Sequence, residues 1–82
     1  MSSLYLGNDN FGKPKINYLN KISILDDIQL YAESIEKLWL SNYFVNDSNS
    51  DFHWHVYACR DEWAKRNKLE EFNRAWHNIF GN

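Results

Sequence analysis

His53, His55, Cys59 and His77 are the residues of this chain best suited to do chemistry, and all lie between Asp51 and Gly81. Imidazole nitrogens and a thiolate are tetrahedral zinc ligands. On a helix His55 and Cys59, four residues apart, share a side, and His53 points almost the opposite way. On a strand His53 and His55 share a face. Neither conformation readily gathers His53, His55 and Cys59, and the paired-Cys and paired-His spacings of zinc modules are absent. A nucleophilic thiol needs a neighbouring imidazole or other cation to ionise. Cys59 instead falls on an apolar stripe with Phe52, Val56 and Trp63, where burial raises a thiol's pKa and leaves it inert. We expect no metal, no cofactor and no catalytic site.

Two other groupings in the same region suggest binding. Arg60, Lys65, Arg66, Lys68 and Arg74, with Trp63 and Trp76, offer the phosphate contacts and stacking platforms of a nucleic-acid binder. Asp61, Glu62, Glu70 and Glu71 interleave with them at ion-pairing spacing, which favours solvated helix faces instead. The four indoles are the second grouping. A small helical domain buries only about two of them well, and an indole at the edge is a favoured anchor for a protein partner. Trp54 and Trp76, with Tyr57 and Phe80, are the candidate partner-binding residues. Trp39 and Trp63 are assigned to the core. The alternative places all four indoles in the core.

The elements that must position these groups are helical. Residues 1–22 carry turn chemistry at Gly7-Asn8-Asp9-Asn10 and Gly12-Lys13-Pro14. They read either as an irregular arm lying on the helical body, anchored by Leu6, Phe11 and Ile16, with a short strand at Leu4 and Leu6 as an option, or equally as a partly disordered tail. A helix over 24–44 follows, with Ser23 as N-cap and Asp26 and Asp27 in its first turn. Its apolar stripe is Ile24, Ile28, Tyr31, Ala32, Ile35, Leu38 and Trp39, opposite Gln29, Glu33, Glu36 and Lys37. Leu30, Leu40 and Tyr43 fall off that stripe, so this helix is apolar on more than one side.

The polar run Asn46 to Asp51 is a loop. Residues 52–58 fit a strand or a helix. The acid-first pairs Asp61–Lys65 and Glu62–Arg66 favour one helix over 51–66. Asn67, with Glu70 three residues on, has capping-box spacing for a last helix over 68–80, striped by Leu69, Phe72, Trp76, Ile79 and Phe80 and stopped at Gly81.

Eighty-two residues make one domain: a single mainly α-helical unit of about three helices, with arm 1–22 and helical body 23–82. The lone Cys excludes an internal disulfide and fits a reducing interior. No segment reads as a signal peptide or a membrane span. The net charge of −2 carries no basic excess for phosphates. The charge is uneven, however: residues 23–51 hold six acids against Lys37, while both flanks are slightly basic. An aromatic fraction of 17% in so short a chain points to core shared in a homo-oligomer or to an aromatic patch that meets a partner.

In its short length, its Asn-, Ile- and Tyr-rich vocabulary and its lack of enzymatic motifs, the chain resembles the small accessory proteins of T-even-type phages. That group includes inhibitors of host proteins and a cytoplasmic accessory protein of lysis inhibition. The resemblance implies a small cytoplasmic regulator that binds another protein, and it carries over no functional residue. The expected partner is a protein, the alternative is a nucleic acid bound through the basic residues of 60–74, and no membrane span is expected.

Overall fold

A computed structural model describes residues 5–81. Within them the chain forms α1 (Ile16–Ser23), α2 (Asp27–Tyr43), α3 (Asp51–Lys65) and α4 (Leu69–Phe80). The mainly helical expectation holds, with one helix more than expected. Helices α2, α3 and α4 run up, down and up around a common core, and α1 packs against α3. The extra helix replaces the second half of the irregular arm. It starts two residues after Pro14, with Lys15 at the N-cap, and Tyr18, Leu19 and Ile22 bring its apolar side onto the core. At eight residues it is too short to persist on propensity, and packing holds it.

Residues 5–15 form a loop tied to the body. Asp9 folds it by accepting from the Phe11 and Lys13 amides, at 2.8 and 3.0 Å. Asn10 then donates to the Asp51 carboxylate and to the Asn49 carbonyl. The expected anchors do not serve: Leu6, Phe11 and Ile16 are exposed, and Tyr5 is the buried one. Leu4 lies outside the described residues.

Helix α2 starts three residues later than expected. Ser23 ends α1, and Asp26 is the N-cap, in a reciprocal capping box with Gln29. The core face of α2 also differs. Leu30, Ser34, Lys37 and Leu38 are buried, while Ile24 and Ile28 are each 83% exposed. The cause is Trp63, the largest fully buried side chain. Its indole N–H donates to Ser34 Oγ at 3.0 Å, and Ser34 in turn donates to the Leu30 carbonyl at 2.8 Å. A buried indole needs an acceptor and room, and the small Ser34 side of α2 supplies both. Lys37 tolerates the interior because its ammonium lies 3.5 Å from Glu33 and 3.3 Å from Glu36.

The α3–α4 corner is a Schellman turn. Lys68 N–H bonds the Trp63 carbonyl at 2.9 Å and Asn67 N–H bonds that of Ala64 at 3.0 Å. Asn67 sits at φ 57°, so it ends α3 and does not cap α4. The cap position of α4 falls to Lys68, which makes no side-chain capping bond.

Arg66 joins three junctions from this corner. Its guanidinium meets Glu62 and Asp27, each at 2.9 Å, and donates to the Leu25 carbonyl at 2.7 Å, with longer contacts to those of Ile22 and Ser23. It thereby satisfies carbonyls left open at the end of α1.

Candidate functional site

The antiparallel α3–α4 pair sets the rungs of the site: Val56 and Tyr57 of α3 face Phe72 and Trp76 of α4 across a groove of about 380 Å³. Ser41, His53 and Arg60 complete its lining. Phe72 is buried at the floor. Tyr57 (53% exposed) and Trp76 (45%) stand up at the sides, and Phe80 packs on Trp76 with ring centroids 4.9 Å apart. Three of the four candidate anchors, Tyr57, Trp76 and Phe80, therefore lie at the surface.

Trp54 is the correction. It is 6% exposed, pinned by a 2.9 Å hydrogen bond from its indole to Asp51, edge-on to Tyr18 and under the N-terminal loop through Tyr5. The arm expected on the helical body has Leu6, Phe11 and Ile16 as its anchors, whereas it is Tyr5 that seats, and Tyr5 covers Trp54. Trp39 takes the opposite course: assigned to the core, it is 54% exposed and stacked on Tyr43. Once Trp63 fills the interior on the Ser34 side, Trp39 is left facing outward.

His53 holds the groove's end in place. Its Nε2 meets the Asp47 carbonyl at 2.8 Å, which makes Nε2 the protonated nitrogen, and Nδ1 then accepts from the Ser41 hydroxyl at 2.7 Å. The imidazole tethers the end of α2 to the start of α3. His55 stacks on Tyr18 with ring centroids 4.0 Å apart, and its Nδ1 is buried without a hydrogen-bond partner. Burial, aided by Lys37, pushes its pKa down to about 4.

Cys59 is buried as expected, and burial pushes the thiol up to about 11. Its neighbour is the Tyr18 hydroxyl, 3.6 Å from Sγ, which itself donates to Glu33 at 2.6 Å. Burial and that carboxylate hold the phenol well above its ordinary range. Burial also pushes Glu33 up, but the Tyr18 hydrogen bond and Lys37 more than offset it, and Glu33 ends below the usual carboxylate range. Among the described residues no three His, Cys, Asp or Glu side chains converge on a common point. His53 and Cys59 are each engaged elsewhere, and His77 lies on α4 beside Trp76.

The basic residues of 60–74 are mostly committed to the fold. Arg66 holds the corner, Lys68 pairs with Asp27, Lys65 approaches Glu62 and Arg74 pairs with Glu71 across the Tyr31 ring. Trp63 is buried, so it offers no face to a base. Arg60 alone of these makes no ion pair among the described residues, and it stands at the groove rim.

Sequence reasoning missed the Arg66 clasp, although Glu62 at i−4 was its visible half. It also missed the Ser41–His53 tether, which joins residues across a loop and leaves no periodic trace. No helix in the described residues is long and apolar enough to cross a membrane. The chain matches no family model, no curated protein and no solved structure.

Proposed function

We propose that this chain is a non-catalytic regulator that binds another protein through Tyr57, Trp76 and Phe80. The observation that carries the reading is the groove itself: exposed aromatic rings on two helices, over a buried Phe72 floor, with Arg60, which makes no ion pair among the described residues, at the rim. Aromatic anchors beside a cation are the composition of protein-binding hot spots. The groove suits a helical or extended segment that inserts an apolar side chain against Trp76 and sets a carboxylate on Arg60. The high-pKa, buried Cys59 and the tethered His53 support a non-catalytic role. The resemblance to phage accessory proteins supports the same class and a cytoplasmic setting.

Affinity capture from a bacterial lysate, followed by mass spectrometry, tests the proposal. The parent chain and Trp39→Ala should retain one protein that Trp76→Ala and Arg60→Glu lose, with affinity reduced on the order of 30-fold or more for a central indole. Equal capture by Trp76→Ala, or no specific capture by any folded form, would refute it.

A further inference from the structure

The side of α2 turned away from the core carries an apolar row. Ile28 is 83% exposed, Trp39 54% and Tyr43 68%, with Ala32 exposed and Ile35 half-buried between them. The steps along the row are four, three, four and four residues, the repeat of a helix–helix seam. Trp39 and Tyr43 stack at 5.4 Å, so the row is continuous at that end. These side chains leave on the order of 500 Å² of apolar surface in water, at the upper end of what monomers expose. A standard interface covers about 800 Å² per partner, and about 65% of a homodimer interface is apolar. The row supplies that share.

The row also matches itself. A two-fold axis between Ile35 and Glu36 sets Ile28 against Tyr43 of a second copy and Ala32 against its Trp39, small opposite large on both sides. Such self-complementarity is what an isologous dimer requires. Glu36 flanks the axis with its carboxylate 3.3 Å from the Lys37 ammonium, so its charge is balanced locally. We infer that α2 pairs antiparallel with α2 of a second copy of this chain, through Ile28, Ala32, Ile35, Trp39 and Tyr43. Ser41, which lines the aromatic groove, lies across α2 from Trp39, so the dimer leaves both grooves open. The pairing stands independently of the proposed partner binding.

Sedimentation equilibrium of the full chain, over a wide concentration range, tests the pairing. The parent should reach twice its 9.9 kDa mass. Trp39→Ala should weaken association on the order of 100-fold, since the residue enters the interface twice. Ala32→Trp should do the same by opposing two indoles. The double variant Ala32→Trp/Trp39→Ala restores small opposite large and should return to within about tenfold of the parent. Circular dichroism confirms that each variant is folded, and Ile28→Ser replaces any that is not. A parent that stays monomeric throughout, or a dimer that survives both Trp39→Ala and Ile28→Ser, would overturn the pairing. A folded double variant that fails to reassociate would overturn the antiparallel register.

Discussion

Replacing His55 by Phe should make the protein markedly less sensitive to mild acid. The imidazole lies among the rings of Tyr18, Trp54 and Phe52, with centroids at 4.0, 4.3 and 6.1 Å, and its Nδ1 has no partner. Burial first, then the Lys37 ammonium, lowers its pKa to about 4, against the upward pull of Asp51, Glu33 and Asp9. In the unfolded chain the ring titrates near its ordinary value of 6.5. Between those values the unfolded state binds the proton and the folded state does not. The stability tied to neutral His55 is therefore complete above about pH 6.5 and is lost as the pH falls towards 4. By linkage the loss from about pH 7.5 to pH 5 approaches 2 kcal/mol, and partial solvent access to the ring brings it to about 1–2 kcal/mol. For a domain this small that is a fall in Tm of roughly 5–15 °C.

The carboxylates do not share this window. Asp27 and Glu33, both held below the usual carboxylate range, lose their contributions only at lower pH. Urea unfolding followed by far-ultraviolet circular dichroism, at about pH 7.5 and about pH 5, measures the difference for the parent and His55→Phe. His55→Phe should lose less than about 0.5 kcal/mol between the two conditions. If His55→Phe weakens as much as the parent, the low pKa and the account built on it are wrong.

Three further substitutions probe the frame. Arg66→Lys keeps the charge but not the fork that spans Glu62, Asp27 and the α1 carbonyls, and should cost about 2–3 kcal/mol in chemical denaturation. Asn67→Gly should raise stability by about 0.5–1 kcal/mol, because glycine occupies a φ of 57° without a Cβ penalty; a loss instead would mean the Asn67 side chain contributes more than its strain. Asp26→Ala removes the reciprocal cap with Gln29 and should lower Tm by an amount equivalent to about 1 kcal/mol, with no effect on capture by the groove.

What was legible in the chain depended on how local its causes were. The acid-first pairs and apolar stripes of the second half place α3 and α4 within a residue or so of their observed ends, Asp51–Lys65 and Leu69–Phe80. Cys59 and Trp63 fall in the core for the same reason. Helix α2 was visible but its orientation was not. Its expected stripe splits, with Tyr31, Ile35 and Leu38 on the core and Ile24, Ile28, Ala32 and Trp39 facing water, because the choice of face was made by the indole of Trp63 on another helix and by Ser34, a residue that looks polar in sequence. Trp39 and Trp54 exchanged roles on the same account. One lies on the side of α2 that the core rejected, and the other is roofed by a loop whose fold depends on Asp51, some forty residues away. Asn67 shows the limit of motif reading: the same residue type suits a helix start and a left-handed helix stop, and only the backbone bonds to Trp63 and Ala64 tell them apart.

The Arg66 clasp bears on how the molecule opens. A terminal helix of eight residues ordinarily frays within its own neighbourhood, and its amides exchange with solvent far faster than those of the core. Here the last carbonyls of α1, the first turn of α2 and the end of α3 share one guanidinium, so α1 cannot peel away without disturbing the other two junctions. Amide exchange in α1 should then track that of α2 and α3, and the four helices should open as a single cooperative unit.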